Sequence, residues 1–251
     1  MMGYTHAVMG AAGAVTLAIF GGKGTPEQYF LATIVGTIGG IAADFDVKDN
    51  FENPKVTEAI RTKIATLGIL VLGVILDIVF NMGSFANIVS RQSFALYGAI
   101  SFCFLLLIGF FTKHRTFTHS LLFYILTSIC VYLIYPNAVV YYSVGYFLHI
   151  VLDVLNFKVH GHGIWLLFPI KIGKGIALGL CKSGRTGNKV LYFVGLSGFI
   201  VSSVVYFWVM NDVKSIIVSS ILLVYIPLVL HFVRIKSEKE QRHIMHINGE
   251  I

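Results

Sequence analysis

Charged residues are scarce in this sequence, and their scarcity excludes an ordinary soluble domain. They make up 12% of the 251 residues, whereas 56% are hydrophobic and the mean hydropathy is +0.80. A soluble domain is about a quarter charged. Cysteine is also rare, and Cys103, Cys130 and Cys181 are scattered, which excludes a disulfide framework and predicts small buried hydrophobic residues. No basic segment precedes the first apolar run, which argues against a cleavable signal peptide.

The apolar residues fall into runs that are long enough to cross about 30 Å of hydrocarbon. These runs are 7–20, 28–43, 64–82, 94–111, 117–135, 138–157, 190–210 and 214–233. The first two are short and rich in glycine, so we expect them to be tilted or packed inside a bundle. The sequence therefore predicts an all-α, polytopic transmembrane helical bundle of seven or eight spans. We expect one integral membrane domain at 1–233 and a charged cytoplasmic tail at 234–251.

A long polar stretch at 158–189 separates the sixth and seventh runs. Trp165 and Phe168 stand beside Pro169 there, and a segment rich in lysine and glycine follows. Aromatic residues next to proline and lysine are typical of the membrane interface. We therefore predict an interfacial loop or short helix in this stretch.

The basic residues are divided unequally between the two sides of the predicted bundle. If the runs alternate through eight spans, sixteen of the nineteen Lys and Arg residues fall on the side that holds both termini. The positive-inside rule makes that side cytoplasmic. A basic inner face also attracts anionic headgroups or phosphate-bearing substrates, although topology alone explains the same charges.

Histidine and aspartate residues recur at the run ends on this same side. His6 precedes the first run, Asp44 follows the second, and His119 opens the fifth. His149 and Asp153 lie one helical turn apart near the end of the sixth run, so their side chains share a face. Ionisable groups at a membrane edge are costly, and His with Asp is a ligand set for divalent metals. The pattern predicts a metal site on the rim of the bundle.

Each of these groups also has a simpler interpretation. A buried hydrogen bond between His149 and Asp153 that joins two helices gives the same spacing. Asp44 and Asp46, separated by one residue where a helix leaves the membrane, suit metal ligation or general-base chemistry. They equally suit a solvated loop in which Asp46 caps a helix. Asp44, which is nearer the apolar run, is the better ligand candidate.

The segment that joins the fourth and fifth runs is suited to an anion. Lys113 and Arg115 flank His114, and such a cluster favours contact with phosphate, although charge topology explains it as well. The dipeptide Thr-His occurs at 5–6 and again at 118–119, each time opening an apolar run. A threonine in this position can cap a helix and orient the neighbouring imidazole.

Taken together, these motifs resemble the YdjM-like family of membrane-bound, metal-dependent hydrolases, also described as LexA-regulated inner-membrane hydrolases. The resemblance extends from residue 1 to about 170 and includes the His-Arg-x-x-Thr-His-Ser and HxxxD motifs. The matching pieces are Thr5-His6, Ala43-Asp44-Phe45-Asp46, His114-Arg115-Thr116-Phe117-Thr118-His119-Ser120, Leu148-His149 to Asp153, and Gly163 to Pro169. The resemblance implies a metal-dependent hydrolase in the cell inner membrane.

More distantly, the order His, Asp, His, HxxxD is similar to the zinc-dependent phospholipase C and single-strand nuclease superfamily. There a helical bundle holds metals that cleave phosphodiesters. The resemblance implies the metal ligands His6, Asp44, His119, His149, Asp153 and His160. The sequence lacks a later HxxxE pair and begins with Met rather than a ligating Trp, which favours one or two metals.

The predicted function is hydrolysis of a phosphoester, such as a phospholipid or a lipid-linked phosphate, at the cytoplasmic membrane face. Zinc is the expected metal, with manganese or magnesium as alternatives, and no nucleic-acid partner is expected. Asp44 or Asp46 is the predicted catalytic base. The predicted substrate-binding residues are Lys113, His114, Arg115 and Trp165. Two alternatives stay open. One is a membrane stress protein or scaffold in which the metal only joins helices, and the other is a divalent-cation transporter, whose site normally lies near the midplane.

Overall fold

The chain is described by a computed structural model that covers residues 2–21, 25–47, 54–158, 163–170, 175–181, 185–209 and 213–247. The described residues contain no strand, only two isolated backbone bridges, which confirms the all-α class. Their nine α-helices are α1 (Gly3–Gly21), α2 (Pro26–Ala42), α3 (Pro54–Phe80), α4 (Ser84–Ser90), α5 (Gln92–Phe111), α6 (Leu121–Ile134), α7 (Val139–Leu155), α8 (Thr186–Val209) and α9 (Val213–Ile247).

Seven of these helices are long and apolar enough to cross a membrane by length and composition. They are α1, α2, α3, α5, α7, α8 and α9. The helix α6 has 14 residues and is a shorter apolar helix. The predicted seven or eight spans are therefore confirmed. The seven-residue helix α4 was not predicted from the sequence.

The helix boundaries differ from the predicted runs chiefly at their polar ends. The helix α3 begins at Pro54, well before the predicted start at 64, because its first turns are amphipathic and not uniformly apolar. The helix α8 begins at Thr186, inside the predicted loop. The helix α9 continues through position 234 to Ile247, so the predicted charged tail extends the last helix.

Polar side chains mark where several helices begin. Thr25 caps α2 by accepting a hydrogen bond from the backbone N–H of Gln28, with Pro26 at the first helical position. Ser120 caps α6 in the same way. The buried carboxylate of Asp77, late in α3, accepts hydrogen bonds from the first two N–H groups of α4 at 3.0 and 2.7 Å. Asp77 therefore fixes the reversal between α3 and α5.

One end of the bundle gathers the starts of α1, α3 and α8 and the charged part of α9, and we call it the polar end. The backbone N–H of Met2 donates to Asn188 of α8 at 3.1 Å, and that of Tyr4 donates to Glu58 of α3 at 3.2 Å. Arg61 of α3 donates to Glu240 of α9 at 2.8 Å. The starts of α1, α3 and α8 and the end of α9 therefore meet at the polar end.

The helices α1, α2 and α7 form the interior of the bundle, and glycine allows their close approach. A side chain at Gly40 of α2 would overlap the backbone carbonyl oxygen of His6 in α1. A side chain at Gly145 of α7 would overlap the carbonyl oxygen of Gly36. Small residues let membrane helices pack backbone to backbone. The prediction that the short, glycine-rich first runs pack inside the bundle is confirmed.

The described residues of the 158–189 stretch that precede α8 form loop and turn rather than helix. Trp165 donates its backbone N–H to the carbonyl of Arg115 at 3.3 Å, and Leu121 donates to the carbonyl of Leu166 at 2.8 Å. This loop therefore lies along the segment that precedes α6. The three cysteines are free; Cys130 is buried as predicted, whereas Cys103 is exposed on the outer surface of α5 because it faces away from α6.

Candidate metal centre

The predicted ligands on four different segments meet at the polar end. His6 lies in the first turns of α1, and Asp44 lies in a 3-10 turn, Ala43–Asp46, that follows α2. His119 ends a second 3-10 turn, Phe117–His119, just before α6. His149 and Asp153 share one face near the end of α7. Consecutive spans run in opposite directions, so these four chain segments arrive at the same depth.

The nitrogen and oxygen atoms of these side chains point at one another. His119 Nε2 lies 3.3 Å from both His149 Nε2 and Asp153 Oδ2, and 3.8 Å from Asp44 Oδ1. His149 Nε2 lies 3.7 Å from the same Asp44 oxygen. One ligand atom from each of Asp44, His119, His149 and Asp153 lies within 4.8 Å of all the others. Bonds of about 2.0–2.2 Å to a tetrahedral zinc hold its ligand atoms about 3.4 Å apart. The donor set fits a divalent metal.

His6 adds a fifth donor beside this group. Its Nε2 lies 3.3 Å from Asp153 Oδ1 and 3.9 Å from Asp44 Oδ2, and its ring stacks on that of His149 with centroids 3.9 Å apart. His6 is fully buried, and neither ring nitrogen makes a hydrogen bond. A buried imidazole of this kind needs a polar partner, and a metal near Asp153 would supply one.

A backbone carbonyl sets the orientation of His149. His149 Nδ1 lies 2.7 Å from the carbonyl oxygen of Gly40, so the Nδ1–H donates there and the Nε2 lone pair faces His119. The oxygen is accessible because Gly40 allows α2 to pack directly on α1 and α7. The close packing at Gly40 therefore also determines the tautomer of His149.

Asp46 lies behind His119 rather than among the converging ligand atoms. It is buried and accepts from His114 Nδ1 at 2.7 Å, from the backbone N–H of Arg115 at 3.3 Å and from the hydroxyl of Thr118. Asp46 Oδ2 also lies 3.6 Å from His119 Nδ1. Carboxylates placed this way orient metal-binding imidazoles. Asp46, His114 and His119 form a second, smaller group of metal-compatible side chains.

The repeated Thr-His dipeptide behaves differently at its two positions. The Thr118 hydroxyl lies 3.0 Å from His119 Nδ1, so this threonine orients the neighbouring imidazole as predicted. The Thr5 hydroxyl instead donates to Asn188 at 3.3 Å, because the start of α1 packs against α8. Only the second dipeptide fits the predicted role.

The negative charge around His119 favours a cation. Burial alone lowers the pKa of the His119 imidazole, but its contacts with Asp153 and Asp46 outweigh burial and raise that pKa to about 9. In the metal-free protein the His119 imidazole therefore carries a proton where it would otherwise suit a metal.

The predicted substrate-binding residues surround the same loop but face different ways. Arg115 is buried, adopts a positive φ of 66°, donates to the carbonyl of Phe157 at 2.8 Å and approaches Asp153 Oδ2 at 3.5 Å. Lys113 is exposed, and His114 is half-buried against Asp46. Trp165 is half-buried beside the backbone of Arg115. The predicted ligand His160 lies outside the described residues.

The site opens at Asp44. The side chain of Asp44 is 14% exposed, whereas those of His6, His119, His149 and Asp153 are at most 1% exposed. Lys63 of α3 stands beside this opening, with Nζ 3.5 Å from the carbonyl of Val47 and 5.3 Å from the centre of the Phe45 ring.

Sequence reasoning missed several residues that position the site. Gly40 was seen only as part of a glycine-rich approach to Asp44, and Asn188 was not considered. Tyr146, one turn before the His149 and Asp153 pair, donates its hydroxyl to the carbonyl of Thr118 at 2.6 Å. Its position on the same face of α7 as His149 was the available signal.

Comparison with known proteins identifies the family. The chain matches the family described as YdjM inner membrane protein over residues 1–237. No curated protein and no solved structure matches it. The similarity to the phospholipase C superfamily thus stays a prediction. The family match and the seven long apolar helices identify a multi-pass membrane protein of the inner membrane.

Proposed function

The chain belongs to the YdjM inner membrane protein family, and on that premise we propose that it is a membrane-bound, metal-dependent hydrolase of phosphoesters. One observation carries the proposal. Four buried or nearly buried donors, from Asp44, His119, His149 and Asp153, converge within 4.8 Å, and only Asp44 is partly open to the surroundings. A purely structural site needs no opening, whereas a catalytic metal site keeps one position accessible.

The proposed metal is zinc, since its ligands are typically imidazole nitrogen and carboxylate oxygen. His119, His149 and Asp153 are the proposed ligands, and Asp44 borders the remaining position; His6 is placed to join the ligands or to help hold a second ion. In such a site a divalent ion supplies an activated water and polarises a phosphoryl oxygen. Manganese and magnesium remain alternatives.

Residues of the chain can accept the proton of the attacking water and can bind the negative charge of the substrate phosphate. Asp44 is the proposed proton acceptor, because it is the exposed member of the group. Asp46, the other candidate base, already accepts three hydrogen bonds and is better suited to orienting His119. Arg115 lies within reach of Asp153 at 3.5 Å and can also face a phosphate oxygen, while Lys113 is exposed at the surface.

The position of the site favours a substrate held in the membrane. The donors lie at the ends of membrane spans, where lipid phosphates reside, so a phospholipid or lipid-linked phosphate is the proposed substrate class. Sixteen of the nineteen basic residues belong to the side that also holds the site, which supports a cytoplasmic location for the site and both termini. No nucleic-acid partner is proposed.

A second candidate function is a structural metal that joins helices in a non-enzymatic membrane protein. This candidate is supported because the donors come from four chain segments, which without a metal are held together by packing alone. The transporter alternative is weaker, because the converging donors lie at one end of the bundle and not near its middle.

The test combines metal analysis with a lipid assay on purified protein in liposomes. We expect about one or two zinc or manganese ions per chain, and metal-dependent hydrolysis of phosphatidic acid, phosphatidylglycerol or a polyprenyl phosphate. His149→Ala should lose most of the metal, and Asp44→Asn should lose the activity. Glu240→Gln, which changes a carboxylate that pairs with Arg61 between α3 and α9, is the matched control and should retain both.

Three outcomes would count against the proposal. Protein without metal, even after reconstitution, would remove the metal site itself. Metal-loaded protein that is inactive on the whole panel would favour the structural metal. Activity that survives both Asp44→Asn and His149→Ala would come from a contaminant.

A further inference from the structure

An apolar cavity is lined by α2, α3, α4, α5, α6 and the start of α7. Its volume is about 330 Å³. Ile34 and Ile38 of α2 form part of its floor, and Val74 of α3 and Phe102 of α5 lie on opposite walls. α3 packs mainly on α9 and α5 mainly on α6, which leaves this space between their inner faces. The cavity is separate from the group of metal donors.

The cavity opens sideways toward the surroundings of the bundle. Leu70 of α3 and Phe85 of α4 line the cavity, yet they are 39% and 41% exposed on the outer surface. Bulk hydrocarbon therefore has access to the cavity without passing through the polar end. The Asp77 carboxylate also borders the cavity, but its two oxygens accept the N–H groups of Ser84 and Phe85, so its charge is already compensated.

Along α2 the cavity reaches Ile38 toward the polar end, and it extends from there to Asp77, Ser84 and Tyr135 at the opposite end of the bundle. Ile38 precedes Asp44 by six residues along α2, which corresponds to about 9 Å of helix rise. Val74 follows Lys63 by eleven residues along α3, or about 16 Å. The helices α2 and α3 thus run from Asp44 and Lys63 to the same apolar cavity, which they reach about two to three helical turns farther from the polar end.

We propose that this cavity holds a hydrocarbon chain of an anionic membrane lipid whose phosphate lies at the opening between Lys63 and Asp44. The inference rests on the proposed function, since it names how the phosphoester substrate is bound. A cation near the opening and a largely apolar cavity farther from it are complementary to an amphiphile with a phosphate head. The lipid enters between α3 and α5, so its head reaches the donors without leaving the membrane.

Photolabelling tests this arrangement without requiring hydrolysis. The probe is phosphatidic acid with a diazirine in its acyl chain, in phosphatidylcholine liposomes. Ile34 is 2% and Phe30 7% exposed, so a hydrocarbon chain reaches this part of α2 only by entering the cavity. We expect the probe to label α2 between Phe30 and Ile38. Val74→Phe, which fills the cavity, should reduce that labelling about tenfold.

The matched control is a change of the same kind one turn earlier on α3, at a valine that does not line the cavity. Val71 is 50% exposed to the outside, so Val71→Phe should leave the labelling of α2 unchanged. A diacylglycerol probe with the same chain should label α2 less than phosphatidic acid does. Lys63→Gln should remove that difference, because the lysine no longer contacts the phosphate.

The result is independent of whether the protein is a hydrolase. Labelling of α2 in His149→Ala protein that is inactive would support the lipid cavity even if the proposed activity fails. Equal α2 labelling in wild type and Val74→Phe, or an equal loss in Val74→Phe and Val71→Phe, would overturn the lipid cavity. Equal labelling by phosphatidic acid and diacylglycerol would overturn the role of Lys63.

Discussion

The three inner helices are less apolar than the four long outer helices, although they are more deeply buried. The mean hydropathy of α1, α2 and α7 is 1.2 to 1.6, compared with 2.0 to 2.5 for α3, α5, α8 and α9. The buried share is 44 to 72% for the inner helices and 17 to 33% for the outer ones. Outer helices must be apolar because they meet lipid, whereas inner helices meet protein and can use small and polar residues. The least apolar spans are accordingly those that supply most of the metal donors.

The largest expected effect comes from adding one methyl group to an inner helix. Gly40→Ala places a Cβ against the carbonyl oxygen of His6, and backbone atoms cannot move aside as a side chain can. We expect a loss of roughly 3 kcal/mol or more of stability, together with loss of bound metal. Thermal unfolding in detergent and metal analysis measure both.

The same change in an outer helix is the control for this comparison. At Gly68 of α3 a Cβ would approach only the Tyr225 hydroxyl, at 3.4 Å, which is an ordinary contact. Gly68→Ala should therefore be neutral, or stabilising by about 0.5–1 kcal/mol through helix propensity. Similar melting curves for the two variants would contradict the distinction between inner and outer helices.

A smaller effect is expected from changing the carboxylate behind His119. Asp46→Asn keeps the shape of the side chain but removes the charge that orients His119, so metal affinity should fall about 10–100-fold. Glu240→Gln changes a carboxylate that pairs with Arg61 between two outer helices and should leave the affinity unchanged. Competition with a chromophoric chelator gives both affinities. An equal response of the two variants would mean that Asp46 does not support the metal site.

An effect of similar size is expected from the pH at which the metal is bound. The pKa of His119 is raised to about 9, so in the metal-free protein this imidazole is protonated at pH 7 and a metal must displace the proton. Affinity should therefore rise between pH 7 and pH 9, and binding at pH 7 should release about one proton from this group. Calorimetry in buffers of different ionisation enthalpy measures the release. Affinity that does not change over this range would show that His119 is not a ligand.

The sequence predicted the helical class, the approximate spans and the convergence of the main donors. It did so because His149 and Asp153 have the spacing of one helical turn, and because alternating spans bring Asp44 and His119 to the same end. Each of these arguments uses only local periodicity and the thickness of a membrane. The assignment of catalytic, metal-binding and substrate-binding roles stays a prediction.

The remaining features depend on contacts between distant segments, which periodicity does not encode. The sequence did not show that the side chain of Arg115 is buried beside Asp153 and the carbonyl of Phe157. The sequence favoured Asp44 over Asp46 as a ligand only because Asp44 is nearer the apolar run, whereas the hydrogen bonds that separate their roles come from His114 and Thr118. The helix α4 was missed because seven residues are too few to give a periodic signal.

The hydrogen bonds of Asn188 affect how far this protein can be shortened. Its side-chain oxygen accepts from the backbone N–H of Met2 and from the Thr5 hydroxyl, and its amide donates to the Tyr4 hydroxyl at 3.2 Å. The start of α1, and with it His6, is thus held by a residue of α8 that supplies no donor. The first 158 residues contain every described donor, but without α8 we expect the start of α1 to lose these hydrogen bonds. A shortened protein that preserves the position of His6 therefore needs α8, although α8 supplies no donor.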